Sequence, residues 1–318
     1  MSGAVDGAMD GAMDGGVPVD QSGRRDLRAA LREAARLLTA AGVPSAEHDA
    51  RALAAHALGI ERLEPALAPA PPADFFPAFA ALVERRCARE PLQHIVGTAP
   101  FRYLTLAVRP GVFVPRPETE TVAQHAVDEA RRVASAGWTP VVVDLCCGGG
   151  AIALAVATEV PGAGVTAVDA SPEAVALTRE NARACDASVR VVHGDATAAQ
   201  VLADLDGTVD VVVSNPPYIP PDAVPLDPEV RDHDPALALY GGGPDGLEVP
   251  RGVVARAAAL LRGGGLLVVE HADVQGPGMR EVVAAQGGFE QVRTVQDLTG
   301  RDRMVVARRV GGHVTDRT

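Results

Sequence analysis

Asn215, Pro216, Pro217 and Tyr218 follow directly on the apolar run Val211, Val212, Val213, Ser214. An amide, a rigid double proline and an aromatic ring at a strand's exit form a small cage for a planar NH2 group. The nitrogen of a carboxamide shares its lone pair with the carbonyl and is a poor nucleophile, so a site acting on it must orient it. The Asn215 side-chain carbonyl and the Pro216 backbone carbonyl can each accept one N–H, and proline, lacking its own N–H, leaves a stiff, acceptor-rich loop. Tyr218 can stack on the planar group, fix its angle and exclude water, so that orientation lowers the barrier without a general base. Taken alone, the same four residues also describe an ordinary proline turn, and the rest of the chain must decide.

Four positions at one sheet edge need a scaffold. The 318 residues suffice for two domains, or for one large domain with an appendage. Apolar residues make up 47% and aromatics 3%, and all 29 basic residues are arginine, which we read as codon bias. A net charge of -12 disfavours a protein whose affinity rests on duplex phosphates. Cys87, Cys146, Cys147 and Cys185 show no CxxC spacing, so neither a zinc site nor a disulfide framework is indicated, and a reducing cytoplasm fits. No basic segment precedes an apolar core at the N-terminus, and no apolar run nears the roughly 20 residues that span a bilayer. We therefore expect a cytoplasmic protein, neither exported nor membrane-bound.

Residues 1–23 contain the near-repeat VDGAMDGAMDGG and are expected to be a disordered tail. Over 24–91, Leu27, Leu31, Ala34, Ala35, Leu37 and Leu38 fall at helical spacing, a second helix follows over 46–58, and Phe75, Phe76, Phe79 and Leu82 lead a third that ends near Arg89. This small helical bundle is either a packing appendage or a substrate-recognition domain. Residues 92–117 read as extended pieces with turns at Gly97 and Pro110-Gly111, a hairpin linker. From 118 to 311 strands and helices alternate: helix 118–135, strand 140–145, helix 150–158, strand 164–169, helix 172–184, strand 188–193 and strand 209–214. A long loop precedes helix 246–262, strand 265–270, helix 276–286 and strands near 289–295 and 303–308, with a short tail at 312–318. Such alternation with fully apolar strands implies an α/β fold with a parallel sheet covered on both faces and its ligands at the strands' carboxyl ends.

Three features fall at those ends in the order expected for one nucleoside ligand. In Val143-Asp144-Leu145-Cys146-Cys147-Gly148-Gly149-Gly150 the glycines let the backbone approach a ligand before the next helix, although the pattern is not GxGxxG. After the next strand, the Asp169 carboxylate can accept both hydroxyls of a ribose; the alternative is support for the helix start at Ser171-Pro172. Gly194-Asp195-Ala196 follows a third strand, where Asp195 can accept an adenine amino hydrogen or simply form a surface turn.

With these residues in hand, the chain from about 27 to 309 resembles the Rossmann-like class I AdoMet-dependent methyltransferases with a seven-stranded sheet. More narrowly, it resembles the HemK/PrmC protein-glutamine methyltransferases, which modify peptide chain release factors. The resemblance rests on Arg89-Glu90-Pro91-Leu92-Gln93-His94-Ile95-Val96-Gly97, on Phe113-Val114-Pro115-Arg116-Pro117-Glu118-Thr119-Glu120, on the glycine loop, on the Asn-Pro-Pro-Tyr cage, on Asp234 to Leu239 and on Asp245-Gly246-Leu247. It implies S-adenosyl-L-methionine as methyl donor, S-adenosyl-L-homocysteine as product, a helical substrate-recognition domain over 24–91 and class I release factors as partners. Carried over by position, Cys146, Cys147, Gly148, Gly149 and Gly150 line the methionine and ribose, Asp169 holds the ribose hydroxyls, and Asp195 with Ala196 borders the adenine. Asn215, Pro216, Pro217 and Tyr218 grip the glutamine amide, with Asn215 also bordering the cofactor. Arg116, Glu118 and Thr119 belong to a loop over the site, the alternative being a turn and helix cap. No metal, no membrane and no direct nucleic-acid contact are expected, and the expected state is a monomer. One departure stands out: Cys146 replaces the usual first glycine of the loop. Since cysteine at a positive φ is strained, we expect a compatible backbone there, with Gly148 and Gly150 carrying the tight turn.

Two other functions use the same cage. An adenine-N6 methyltransferase of nucleic acid would have to extrude its base and hold phosphates, which the acidic balance disfavours. A glutamine methyltransferase acting on a ribosomal protein would share the chemistry but not the partner. A catalytically dead binding module is disfavoured because both the loop and the cage are complete.

Overall fold

The computed structural model describes residues 21–64 and 70–311. These divide into two compact units with the boundary after Ala88. Residues 1–20 of the expected N-terminal tail and the tail at 312–318 lie outside the described residues, while residues 21–23 are already helical.

The first unit holds α1 (Gln21–Ala40), α2 (Ala46–Ala57) and α3 (Phe75–Cys87). Leu27, Leu31, Ala34 and Leu38 recur on one face of α1 and are buried, whereas Leu37 falls off that face and is 39% exposed. Phe79 stacks on Phe75 with ring centroids 5.3 Å apart, and Phe76 stays at the rim. The buried Arg86 guanidinium donates to Asp49 at 2.8 Å, so the bundle contains a desolvated ion pair whose charges answer each other.

The second unit begins with α4 (Leu92–Val96) and a hairpin of β1 (Thr98–Phe101) and β2 (Leu104–Ala107). The segment expected to be extended from residue 92 is therefore helical for its first five residues. Pro91 fixes the entry and Gly97, at φ 78°, ends the helix; five residues are too few for a helical period to show in sequence. There follow α5 (Thr119–Ser135), β3 (Val141–Leu145), α6 (Ala151–Glu159), β4 (Gly164–Asp169), α7 (Pro172–Ala184), β5 (Val189–His193) and β6 (Val209–Ser214). The expected long loop after β6 contains two short helices, α8 (Pro228–His233) and α9 (Ala236–Leu239). Their sequence signal is an Asp-Pro pair at each start, with Pro228 the first residue of α8 and Pro235 the residue before α9, since proline suits the entry to a helix. The chain closes with α10 (Glu248–Leu260), β7 (Leu261–Glu270), α11 (Gly276–Gln286), β8 (Phe289–Gln296) and β9 (Asp302–Arg309).

The expected seven-stranded sheet runs β5-β4-β3-β6-β7-β9-β8, with β9 antiparallel to both its neighbours and the other pairings parallel. Successive strand residues enter opposite cores: Val142, Val211 and Val213 pack with α5 and α6, while Val143, Val212 and Leu267 pack with α10 and α11. Burial on both faces explains why these strands are continuously apolar, each valine contributing about 1.5–3 kcal/mol. Asp144 on β3 and Asp210 on β6 are charged residues fully buried within such runs. The strand order reverses between β3 and β6, and there Leu145 pairs with Ser214. Cys146 and Asn215 therefore leave adjacent parallel strands at the same level, at the switch point where such sheets open a crevice.

Candidate active site

The loop after β3 is held from three sides. The Cys147 N–H donates to the Val168 carbonyl at 3.0 Å, the Gly148 N–H to Asp169 Oδ2 at 2.8 Å, and the Thr178 hydroxyl to the Gly148 carbonyl at 2.7 Å. Asn181 Nδ2 donates to the Gly149 carbonyl at 3.0 Å. Gly148 and Gly150 sit at positive φ, as expected for the tight turn, but so does Cys146, at φ 61°. The expectation of a backbone compatible with cysteine is thus corrected. Residue 146 occupies the left-handed region, where a non-glycine side chain costs about 1–2 kcal/mol. The constraint comes from both sides: β3 ends in register with β6 one residue before, and Cys147 is bonded to β4 one residue after.

Asn215 to Tyr218 is clamped from behind. The Ile219 N–H donates to the Leu239 carbonyl at 2.8 Å and the Gly241 N–H to the Ile219 carbonyl at 3.0 Å. Gln275 Nε2 donates to the Tyr218 carbonyl at 2.8 Å. Gly241 and Gly246 pack so tightly here that a Cβ would lie 2.6 Å from the Pro217 oxygen or 2.3 Å from the Tyr218 oxygen. The cage is therefore a fixed feature of the backbone. On its side-chain face, Asn215 Nδ2 donates to Thr119 Oγ1 at 3.3 Å and the Tyr218 hydroxyl donates to Glu270 Oε1 at 3.4 Å.

Electrostatically the site is a set of carboxyls removed from water. Burial pushes Asp144 up to about 8, against the hydrogen bond it accepts from the Ala153 N–H. Burial also raises Asp169, against the N–H groups of Ser171 and Gly148. Glu270 is pushed up to about 7 by burial, opposed by the Thr119 hydroxyl and the Arg303 guanidinium. Burial raises the phenol of Tyr218, with Glu270 beside it adding to the effect, so Tyr218 stays a neutral donor. Arg116 pairs with Asp234, whose side chain is fully buried, and its guanidinium lies 5.0 Å from the Phe113 ring centroid.

Among the described residues, the loop after β3 and the Asn215–Tyr218 cage open into one cavity of 740 Å³, within the roughly 300–1,000 Å³ range of small-molecule sites. It brings together Cys146, Cys147, Gly148, Gly149, Asp169, Asp195, Ala196, Asn215, Pro216, Pro217 and Tyr218 with Arg116, Glu118 and Thr119. Gly150 does not line it. Gly150 faces α7 instead, where a Cβ would meet Thr178 at 2.8 Å. Asp195 reaches the cavity, but its Oδ1 accepts from the N–H and hydroxyl of Thr197, so it also shapes its own turn. Both oxygens of Asp169 accept a backbone N–H, each keeping a second lone pair for a ligand. The donor set suits AdoMet: Asp169 offers acceptors for ribose hydroxyls, and near Gly148 a Cβ would meet nothing within 4 Å. Sequence reasoning missed Asn181, Glu270 and the β2 residues Leu106 and Ala107, which line the cavity or hold it. Asn181 left one signal, a polar pair with Thr178 three residues apart on the face of α7 that turns toward the loop.

The model of the PrmC N-terminal domain matches residues 29–97, and that of the methyltransferase small domain matches residues 123–226. The chain is 49% identical over 285 residues, 89% of its length, to the release factor glutamine methyltransferase of Mycolicibacterium smegmatis, covering 98% of that protein. The chain belongs to the release factor glutamine methyltransferase family. It is 48% identical to the Streptomyces coelicolor member, covering 89% of this chain and 98% of that one, and 45% identical to the Bifidobacterium longum member, covering 87% and 97%. As a methyltransferase of this family, the chain carries the full α/β catalytic unit and the N-terminal helices that the resemblance implied. No helix among the described residues is long and apolar enough to cross a membrane.

Proposed function

We propose that this methyltransferase moves a methyl group from S-adenosyl-L-methionine to the N5 side-chain nitrogen of the glutamine in the GGQ motif of class I release factors. One observation supports this most: the loop after β3 and the Asn215–Tyr218 cage leave adjacent strands in register and face one cavity. AdoMet supplies a methyl carried on a sulfonium sulfur, and S-adenosyl-L-homocysteine is the product. The chain's own work is to orient the amide. Asn215 Oδ1 and the Pro216 carbonyl accept the two amide hydrogens, and Tyr218 covers the plane of the group. The nitrogen lone pair is thereby aimed at the methyl carbon. The N–C bond forms as the S–C bond breaks, and the amide proton leaves to solvent with or after the transfer. Preorganised acceptors perform the positioning, with no general base required.

Asp169 is the proposed holder of the ribose hydroxyls, and Asp195 with Ala196 borders the adenine. The helices of the first unit recognise the partner protein, and the chain works as a cytoplasmic monomer without direct contact to nucleic acid. The decisive experiment supplies labelled AdoMet with a release factor, a ribosomal protein or DNA in separate reactions and maps the label by peptide mass. Methyl on the glutamine of the release factor is expected; label on the ribosomal protein or DNA alone would overturn the assignment.

A further inference from the structure

Behind the cage, the Tyr218 and Thr119 hydroxyls and the Arg303 guanidinium surround one buried carboxyl. Glu270, the last residue of β7, is 1% exposed. Its Oε1 accepts the Tyr218 hydroxyl at 3.4 Å, and the Thr119 hydroxyl at the start of α5 faces the same carboxyl and favours its ionised form. Thr119 Oγ1 in turn accepts from Asn215 Nδ2 at 3.3 Å. Glu270 Oε2 has no hydrogen-bond partner of its own, leaving the carboxyl with spare acceptor capacity. The other charged groups around it are Arg303 on β9 and Glu118 before α5.

We propose that Glu270 is a positioning residue that fixes which end of the Asn215 amide faces the substrate. This rests on the reading of Asn215 to Tyr218 as the grip on the target amide. The two ends of an asparagine amide are nearly alike in shape, so its sense is decided by the hydrogen bonds around it. A hydroxyl has one hydrogen. When Glu270 is ionised it can only accept, so Thr119 turns its hydrogen toward the carboxylate and keeps lone pairs for Asn215. Asn215 must then offer Thr119 its NH2 and the cavity its carbonyl, the end that accepts a substrate N–H. When Glu270 is protonated, its own O–H can satisfy Thr119, whose hydrogen is freed for the Asn215 carbonyl. The amide can then flip and point NH2 at NH2. The same protonation removes the charged acceptor that holds the Tyr218 hydroxyl. Glu270 touches no substrate in this account and acts through Thr119 and Tyr218.

The test is Glu270→Gln, assayed with a class I release factor over pH 6 to 9 beside the wild type. Its amide brings donors where the carboxylate had only acceptors. We expect kcat to fall roughly 10²-fold, the scale of losing one oriented hydrogen bond at a reacting group. AdoMet affinity, measured by calorimetry, should change less than about threefold, because the loop after β3 is untouched. The wild-type kcat should also fall toward low pH, and that limb should be absent from Glu270→Gln. Combining Glu270→Gln with Thr119→Val should cost little more than either alone, since both break one chain of bonds. Wild-type kcat in Glu270→Gln, or a loss that AdoMet affinity shares in full, overturns the proposal. Should the variant not fold, a flat wild-type pH profile of kcat overturns it alone. Asn215→Ala separates the two ideas: if it too turns over normally the grip itself is wrong, and if it alone is inactive only the role of Glu270 fails.

Discussion

Asn181 and Ala107 exchange two hydrogen bonds. The Ala107 N–H donates to Asn181 Oδ1 at 2.8 Å, and Asn181 Nδ2 donates back to the Ala107 carbonyl at 3.2 Å. The same Nδ2 reaches the Gly149 carbonyl at 3.0 Å, so one buried side chain on α7 ties the edge of the hairpin to the loop after β3. Asn181→Ala would leave these backbone groups unanswered in a buried setting, at a cost of about 2–3 kcal/mol. We expect a lower Tm and a fall in AdoMet affinity of about tenfold or more by calorimetry. An unchanged affinity would mean that the loop holds its shape without the tie.

Cys146 at φ 61° makes a second prediction. Glycine is free of the left-handed penalty but loses the cysteine's packing and loosens the unfolded chain, so Cys146→Gly should lie within about 1 kcal/mol of wild type. A β-branched side chain is a far worse occupant. Cys146→Val should lose about 2 kcal/mol relative to Cys146→Gly, together with AdoMet binding, by urea denaturation and calorimetry. Equal stabilities of the two variants would contradict the left-handed assignment.

Burial sets the sign of a pH dependence at Asp144. Its folded value of about 8 lies above that of an unfolded carboxyl, about 3.9, so the folded state keeps a proton that the unfolded chain releases. The stability this supplies is complete below about pH 4 and is lost as pH rises through 8. Asp144→Asn keeps an acceptor for the Ala153 N–H and removes the ionisation. Its Tm should exceed that of wild type by several degrees at pH 9, with the gap closing as pH falls toward 4, in thermal scans at fixed ionic strength. A difference independent of pH would sink the burial argument.

How far the sequence alone reaches is visible in these same residues. Strand and helix periodicity placed β3 to β6 and the helices α5, α6, α7, α10 and α11 within a residue or two, because each packs against the sheet along its length, whereas α1 begins at Gln21, inside the segment expected to be a tail. The order of the glycine loop, Asp169, Asp195 and the Asn-Pro-Pro-Tyr segment along the chain was enough to group them, since parallel strands deliver their carboxyl ends to one edge. The short helices α4, α8 and α9 escaped because a single turn has no period to detect. Cys146 was misjudged because φ follows from strand register and the bond to Val168, neither of which is local. Glu270 and Asn181 were missed for a related reason: each acts on backbone or side chains far along the chain, and a lone polar residue in an apolar strand or helix does not say what it faces.

Gly246 offers a probe of the cage that replaces no functional side chain. It sits at φ 75°, and a Cβ there would lie 2.3 Å from the Tyr218 carbonyl oxygen and 2.7 Å from the Pro220 nitrogen. Both are backbone atoms, so the clash cannot be relieved by turning a side chain. Gly246→Ala must move the Tyr218–Pro220 backbone or the turn that carries residue 246, and the Gln275 bonds to the Tyr218 and Asp245 carbonyls resist both. A shift of this kind displaces Tyr218 while leaving the loop after β3 in place. We therefore expect kcat for release-factor methylation to drop by about 10²-fold, the cost of misplacing a positioning group by about 1 Å, with AdoMet affinity within about threefold of wild type. Stability should fall by about 1–3 kcal/mol in urea, from the positive φ and the overpacking together. A variant that lost AdoMet binding as severely as turnover would show that the cage and the cofactor loop move as one body.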